Sequence, residues 1–334
     1  MTVQVDEERA IKSLSSKTAT GTRVPWHSLA RLLLAGAILA FVLVRVQPRA
    51  FAAALGRANP AFLVPAALMA VLALLLQTTR WWVILRAAWS GARVGEAFRS
   101  LAAGLALGIA TPARVGELGR AWFLPERDAA TAIGLVLLER VYALAGVLGL
   151  GLVAIAGLHL QELAWGTLWI SAGGLFGAAA LLSPWGSRAV ARWLGRWLSG
   201  ARGMTEALAL LRFRRIALVL GLTFVHLFVL SVQFTLAVRS FSPQVNWARG
   251  VLAGLGVLAT KAAIPLSFGD VGVREAAAIF FYQRAGADPA AALSGSLCVY
   301  VWNVALPAAV GLHWVTQRKG GPPARRKDGR GACP

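Results

Sequence analysis

Charge is scarce in this sequence. Only 14% of its residues are Asp, Glu, Lys or Arg, against about 25% in an ordinary soluble domain. Cysteine is scarcer: Cys298 lies inside an apolar run and Cys333 near the end of the chain, so no disulfide framework is available. The four histidines, His27, His159, His226 and His313, are scattered without metal-ligand spacing. There is no glycine-rich phosphate loop ending in Lys-Ser/Thr, no G-x-S-x-G elbow and no H-E-x-x-H pair. Nothing therefore points to nucleotide hydrolysis or zinc chemistry, and no cofactor is expected.

What the chain does have is apolar length. Hydrophobic residues make up 57% of it and the mean hydropathy is +0.64, which excludes a soluble, disordered or fibrous protein. Six long apolar runs occur, Leu29–Val46, Ala61–Leu76, Ala129–Leu160, Leu163–Leu182, Ile216–Val238 and Pro289–Val315. Each reaches or approaches the ~17–25 residues that cross a bilayer. The first run fits a signal peptide poorly, because it starts late and lacks a small-residue cleavage site. We read it as a retained span behind a polar, disordered N-terminus, residues 1–27.

Two regions are built differently. Ala97–Leu124 and Gly250–Tyr282 each hold two short apolar pieces broken by Pro, Gly and charge. Broken helices at membrane depth need protein or a water-filled cavity to cover the freed backbone. Each region is read as a helical hairpin, re-entrant or fully crossing.

The net charge of +20 comes from 34 basic against 14 acidic residues. In an apolar chain this balance fits cytoplasmic loops facing anionic lipid better than nucleic acid. With the N-terminus inside, the inside segments (1–28, 77–99, 125–128, 183–215 and 316–334) carry 22 basic residues and the outside segments 5. That asymmetry predicts a multi-pass protein of the inner or plasma membrane with both termini cytoplasmic. Residues 186–214 space Arg188, Arg192 and Arg196 as one face of a basic amphipathic helix on the cytoplasmic surface. Residues 317–334 form a basic cytoplasmic tail.

The two hairpins resemble each other. Pro112-Ala-Arg114-Val-Gly116-Glu117-Leu-Gly119-Arg120 and Pro265-Leu-Ser267-Phe-Gly269-Asp270-Val-Gly272-Val-Arg274-Glu275 share P-x-x-x-G-[DE]-x-G followed by Arg. Gln77 and Gln233 precede them, and Asp128 and Asp288 each precede the next long run. The predicted fold is all-α and polytopic, within a membrane domain at 28–316. It is an inverted-topology repeat of span, span, broken hairpin, span, with repeat one at about 28–160 and repeat two at about 163–316. Six full spans and two hairpins result.

Pro112 and Pro265 break helices and free carbonyls. Gly116, Gly119, Gly269 and Gly272 permit tight turns and close approach. Nine ionisable residues fall at membrane depth: Arg114, Glu117, Arg120, Glu139, Arg140, Lys261, Asp270, Arg274 and Glu275. A charge there costs about 2.5–3.5 kcal/mol on insertion scales. Five positive and four negative charges suit a mutually paired polar cavity with one cation in excess. Arginine matches phosphate, because its planar fork binds two oxygens at once. Internal salt bridges stapling the bundle are the competing reading, above all for Glu139-Arg140 and Arg274-Glu275. Arg114 and Arg120 flank Glu117 at i±3, so one carboxylate can neutralise one of them. His226 is read as packing.

The stretch Ala110–Arg120 resembles the first signature of the lysylphosphatidylglycerol synthase transmembrane-region family, also called flippase-like. Glu139-Arg140 resembles its E-R pair, and Ser267–Glu275 its S-x-G-G-x-G-x-R-E signature. The resemblance covers roughly residues 30–316. It implies a bacterial or archaeal membrane protein that moves or binds lipids; in the multiple peptide resistance factor a similar region flips aminoacylated phosphatidylglycerol outward. No synthase domain follows the last span, so aminoacyl transfer is not expected. Asp270 stands where the family usually has Gly, and Tyr300 where it usually has Arg, and both changes make the site less cationic.

The expected function is therefore flippase-like handling of an anionic, phosphate-bearing lipid headgroup, with no catalytic role. The headgroup would meet Arg114, Glu117, Arg120, Glu139, Arg140, Lys261, Ser267, Asp270, Arg274 and Glu275. The alternatives are an intramembrane enzyme acting on a lipid-linked substrate and a non-transporting subunit in lipid or envelope assembly. The expected partner is membrane lipid and not nucleic acid; monomer and oligomer are both open.

Overall fold

A computed structural model describes residues 55–109, 111, 114–124, 127–158, 213–264 and 272–317. The runs at 29–46 and 163–182, the amphipathic segment up to residue 212, the basic tail, and Pro112, Pro265, Ser267, Gly269 and Asp270 lie outside the described residues. Everything described is helix or connection.

Helix α1 spans Pro60–Ala88 and α2 Val94–Ile109. A 3-10 helix follows at Val115–Phe123, then α3 at Ala129–Gly157. The second series is α4 at Phe213–Arg239, α5 at Trp247–Ala263, α6 at Val273–Arg284, and α7 at Pro289–Tyr300. A π-helical turn at Val301–Ala305 carries α7 into α8, Leu306–Gln317. Both series run long helix, short helix, break, shorter helix, long helix. Among the described residues four helices are long and apolar enough to cross a bilayer: Pro60–Ala88, Ala129–Gly157, Arg214–Arg239 and the combined Pro289–Gln317. The pieces of the two broken regions are shorter, 16 and 9 residues in the first and 17 and 12 in the second, and of these α5 alone reaches the low end of the ~17–25 residues that cross a bilayer.

The starts are fixed by local chemistry. Asn59 accepts from the Ala61 N–H with Pro60 in the first turn, and Asn246 accepts from the Arg249 N–H. Asp128 accepts from both the N–H and the hydroxyl of Thr131. The Thr131 backbone N–H, then its hydroxyl, hold the Asp128 carboxyl below its ordinary 3.8. The cap is thus intact above that value and is lost as pH falls through the lowered one. Asp128→Ala should cost about 0.5–1 kcal/mol at neutral pH. In thermal unfolding, the gap between variant and wild type should close as the pH drops below 4. Asp288 occupies the matching place before α7 but makes no side-chain cap bond.

One boundary differs from the sequence reading. The segment 77–99, taken there as a cytoplasmic loop, begins inside α1. Gln77-Thr78-Thr79-Arg80 continues the helix because Thr78 and Arg80 point into the bundle, where both are buried. Thr78 returns its hydroxyl to the Leu74 carbonyl. The outer face of α1 is apolar instead, with Val64, Leu68, Val71, Leu72 and Leu75 exposed on one helical stripe.

The two series pack reciprocally. Helix α1 lies on its counterpart α4. Helix α3 of the first series packs on α5 of the second, and α8 of the second packs on α2 of the first. The close approaches match as well. A Cβ on Gly151 of α3 would stand 2.6 Å from the Cβ of Ala259, and one on Gly311 of α8 would stand 1.9 Å from the Ala102 carbonyl oxygen. Gly311→Ala must push α8 away from α2, at about 1–3 kcal/mol. It should appear as a lower melting temperature in detergent, with a larger drop than for Gly221→Ala, where a Cβ meets nothing.

Candidate functional site: a buried arginine network beside a cationic cavity

The break after α2 shapes the first half of the site. Thr111 accepts the Gly116 N–H at 2.7 Å. Arg114 then takes a left-handed backbone, φ 54° and ψ 32°, the one non-glycine residue with positive φ among those described. That conformation costs an L-residue roughly 1–2 kcal/mol. It is held in place because the Arg114 carbonyl accepts from Arg140 Nη2 at 2.6 Å and from the Glu117 N–H at 3.0 Å.

From there the 3-10 helix lays its charged side chains on α2. A Cβ on Gly104 would come 2.3 Å from Arg120 Cγ, and one on Gly108 would come 2.8 Å from Glu117 Cγ. The G-x-x-x-G spacing of α2 is thus a groove for two ionised side chains, where the sequence reading placed glycines only at the break. Gly116 and Gly119 lie against Leu107 with no room for a Cβ.

Glu139, on α3, is the hub. Its Oε1 accepts from Arg80 Nη2 at 2.8 Å and Nε at 3.1 Å, and its Oε2 accepts from Arg120 Nη1 at 2.6 Å. Arg80 also reaches the Thr223 hydroxyl on α4. Glu117 continues the chain, pairing with Arg120 at 3.0 Å, Arg114 at 3.2 Å and Arg140 at 3.2 Å. It therefore serves both i±3 arginines rather than one. Arg120 lies over the Trp81 ring as well. Among the described residues four arginines share two carboxylates, and Arg80, Arg120, Glu117 and Glu139 are all at most 7% exposed. Arg80 was absent from the sequence-derived set, and the tally of loop charge had placed it in the cytoplasm. Its signal was the polar Gln77–Arg80 patch, which hydropathy alone reads as an exit from the membrane.

A cavity of about 100 Å³ opens beside this network. Its polar lining comes from both series: Gln77 on α1, Arg114 at the break, His226 on α4, Lys261 on α5 and Asn303 in the π turn. No carboxylate is among the described lining residues. Asn303 donates to Gln233 Oε1 at 2.8 Å and to the Val299 carbonyl at 3.1 Å. The π turn supplies that placement, and such turns recur at functional sites.

Arg274 and Glu275 form a second cluster. They pair with each other, Arg274 donates to the Ser296 hydroxyl and its guanidinium stacks on Tyr300 at 4.6 Å. Glu275 Oε2 also accepts the Gly272 N–H, where φ is +92°. The carboxylate thereby caps the start of α6, so that helix end already faces a negative charge of the chain itself. Of the nine ionisable residues singled out in the sequence, Arg114, Glu117, Arg120, Glu139 and Arg140 join one network. Lys261 shares the cavity with Arg114, and Arg274 and Glu275 pair with each other beside Tyr300. Among the described residues, no group of His, Cys, Asp and Glu is arranged to hold a metal.

Residues 28–311 match the family described as lysylphosphatidylglycerol synthase TM region. The chain belongs to this family. Comparison with curated proteins and with solved structures finds no significant match. Family membership and the four long apolar helices together make it a multi-pass membrane protein of the lysylphosphatidylglycerol synthase TM-region family.

Proposed function

We propose that this protein is a flippase-like lipid carrier of the cell membrane, in which the cavity takes the phosphate of an anionic lipid headgroup while the acyl tails stay in the bilayer. The observation that carries this reading is the pairing of Arg114 with Lys261 in one cavity lined from both series of helices. Beside it stands a network in which, among the described residues, Arg80, Arg114, Arg120 and Arg140 pair with Glu117 and Glu139. The cavity volume suits a phosphate group, being of the order of the ~150 Å³ that admits a benzene ring. Each Glu139 oxygen is engaged by an arginine, which fits a role in holding cations and not in proton transfer.

The arrangement in the bilayer is that of an inverted repeat with six spans and two hairpins, the termini inside. Reciprocal packing of the two series supports the repeat. Moving Arg80 from the loop tally into the bundle leaves the charge asymmetry intact. At 1.5 Å per residue, Arg80 and Glu139 stand about 12–15 Å from the ends of α1 and α3 that face each other across the first hairpin. Each helix is 29 residues, about 43 Å, so centring it on a ~30 Å hydrocarbon layer would put Arg80 and Glu139 inside that layer, toward the first hairpin's side. Arg274 and Ser267, with Asp270 and Glu275 to orient them, would meet the headgroup from the second hairpin. Native mass spectrometry tests the lipid class. Anionic phospholipid should remain bound where phosphatidylcholine dissociates, and equal retention of both would reject the reading.

A further inference from the structure

The cavity's cations account for an anion, but its neutral groups ask for something more. His226 is more than nine-tenths buried. Its ring lies beside the Ala73 backbone, while its Nδ1 has no hydrogen-bond partner. A neutral imidazole that donates from one nitrogen presents the other as an acceptor. Asn303 behaves alike: its Nδ2 is spent on Gln233 and the Val299 carbonyl, and Oδ1 is the atom it has left to offer. Two acceptors thus stand in the same cavity as two cations. A bare phosphodiester meets Arg114 and Lys261 through its oxygens but offers His226 and Asn303 only lone pairs. An unmatched buried acceptor is costly, and sites built to hydrogen-bond a donor reject analogues that lack it.

We propose that His226, assisted by Asn303, is a specificity-determining residue that accepts a hydrogen bond from a hydroxyl or amine on the headgroup, so the carrier selects phosphodiester lipids that bear a donor close to the phosphate. This rests on the carrier reading above and sharpens it. The test uses the full chain in nanodiscs, with phosphatidylglycerol and phosphatidylmethanol as probes. The two carry the same charge, and only the first has hydroxyl donors. Wild type should prefer phosphatidylglycerol by about five- to tenfold, the worth of roughly one net hydrogen bond. His226→Phe should bind both lipids with equal affinity. His226→Gln, which keeps a donor and an acceptor for the headgroup, should retain the preference. Wild type binding both lipids equally overturns the assignment alone, as does His226→Phe keeping the preference or weakening both lipids equally. Wild type binding neither lipid overturns the carrier reading and the assignment with it.

Discussion

Glu139→Gln should be the most destabilising single substitution in the described bundle. It removes the charge that Arg80 and Arg120 share, at 2.8 and 2.6 Å, which leaves Arg80 buried without a carboxylate and Arg120 with Glu117 alone. Breaking a buried pair from one side costs about 3–5 kcal/mol, a large part of the ~5–15 kcal/mol that holds a typical protein folded. The variant should lose its monodisperse peak in detergent or melt far below wild type. Removing Arg80 as well, as Arg80→Met/Glu139→Gln, relieves part of this, because the cation left without a carboxylate is gone. The double variant should therefore melt higher than Glu139→Gln alone. A cycle of wild type, both single variants and the double measures that coupling. Additive losses would show that the contact is not a working pair.

Arg114→Gly should have the largest effect on function with the least on stability. Position 114 has φ 54°, which glycine adopts without strain, and the carbonyl that Arg140 and the Glu117 N–H hold belongs to the backbone and survives the change. The substitution deletes one of the two cavity cations and relaxes the backbone. Hydrogen bonds to charged groups contribute about 1.5–3 kcal/mol, so anionic lipid should bind about 10- to 100-fold more weakly. The melting temperature should stay within a few degrees of wild type. If Arg114 only staples the bundle through Glu117, the result reverses: stability falls and lipid affinity follows it down. Arg114→Ala mixes the two effects, since alanine keeps the strained backbone.

Much of the fold was legible because long apolar runs and their breaks are local signals. Asp128 before α3 and the Pro-Gly break before the 3-10 helix announced those elements, and Pro289 opened α7 where the pattern placed it. The misreading at Gln77–Arg80 has a physical reason. Hydropathy averages over a window and treats a polar cluster as an exit to water. Here the cluster faces Glu139, 59 residues further on, and no local pattern reveals that partner.

The site was legible to the same degree. Glu117, Arg120, Glu139 and Arg140 stood out as charges inside apolar or motif-bearing stretches, and they meet in the structure. Lys261 stood out likewise and lines the cavity. His226 and Asn303 did not, because a lone polar residue on an apolar helix is most often a packed one. What distinguishes these two is the unspent atoms of each side chain, which depend on Ala73, Gln233 and Val299. The glycine groove of α2 was hidden in the same way. Gly104 and Gly108 look like any small residues of a membrane helix until Arg120 and Glu117 are laid across them.

Leaflet exchange in liposomes tests the central claim most directly, since that claim is that a phosphate headgroup enters the cationic cavity between the two halves. Fluorescent lipids in vesicles containing purified protein should redistribute faster than in empty vesicles. The acceleration should be larger for an anionic phospholipid than for phosphatidylcholine, and Arg114→Gly should abolish it while remaining folded. Rates equal to those of empty vesicles for every headgroup, or a folded Arg114→Gly protein as fast as wild type, would contradict the account.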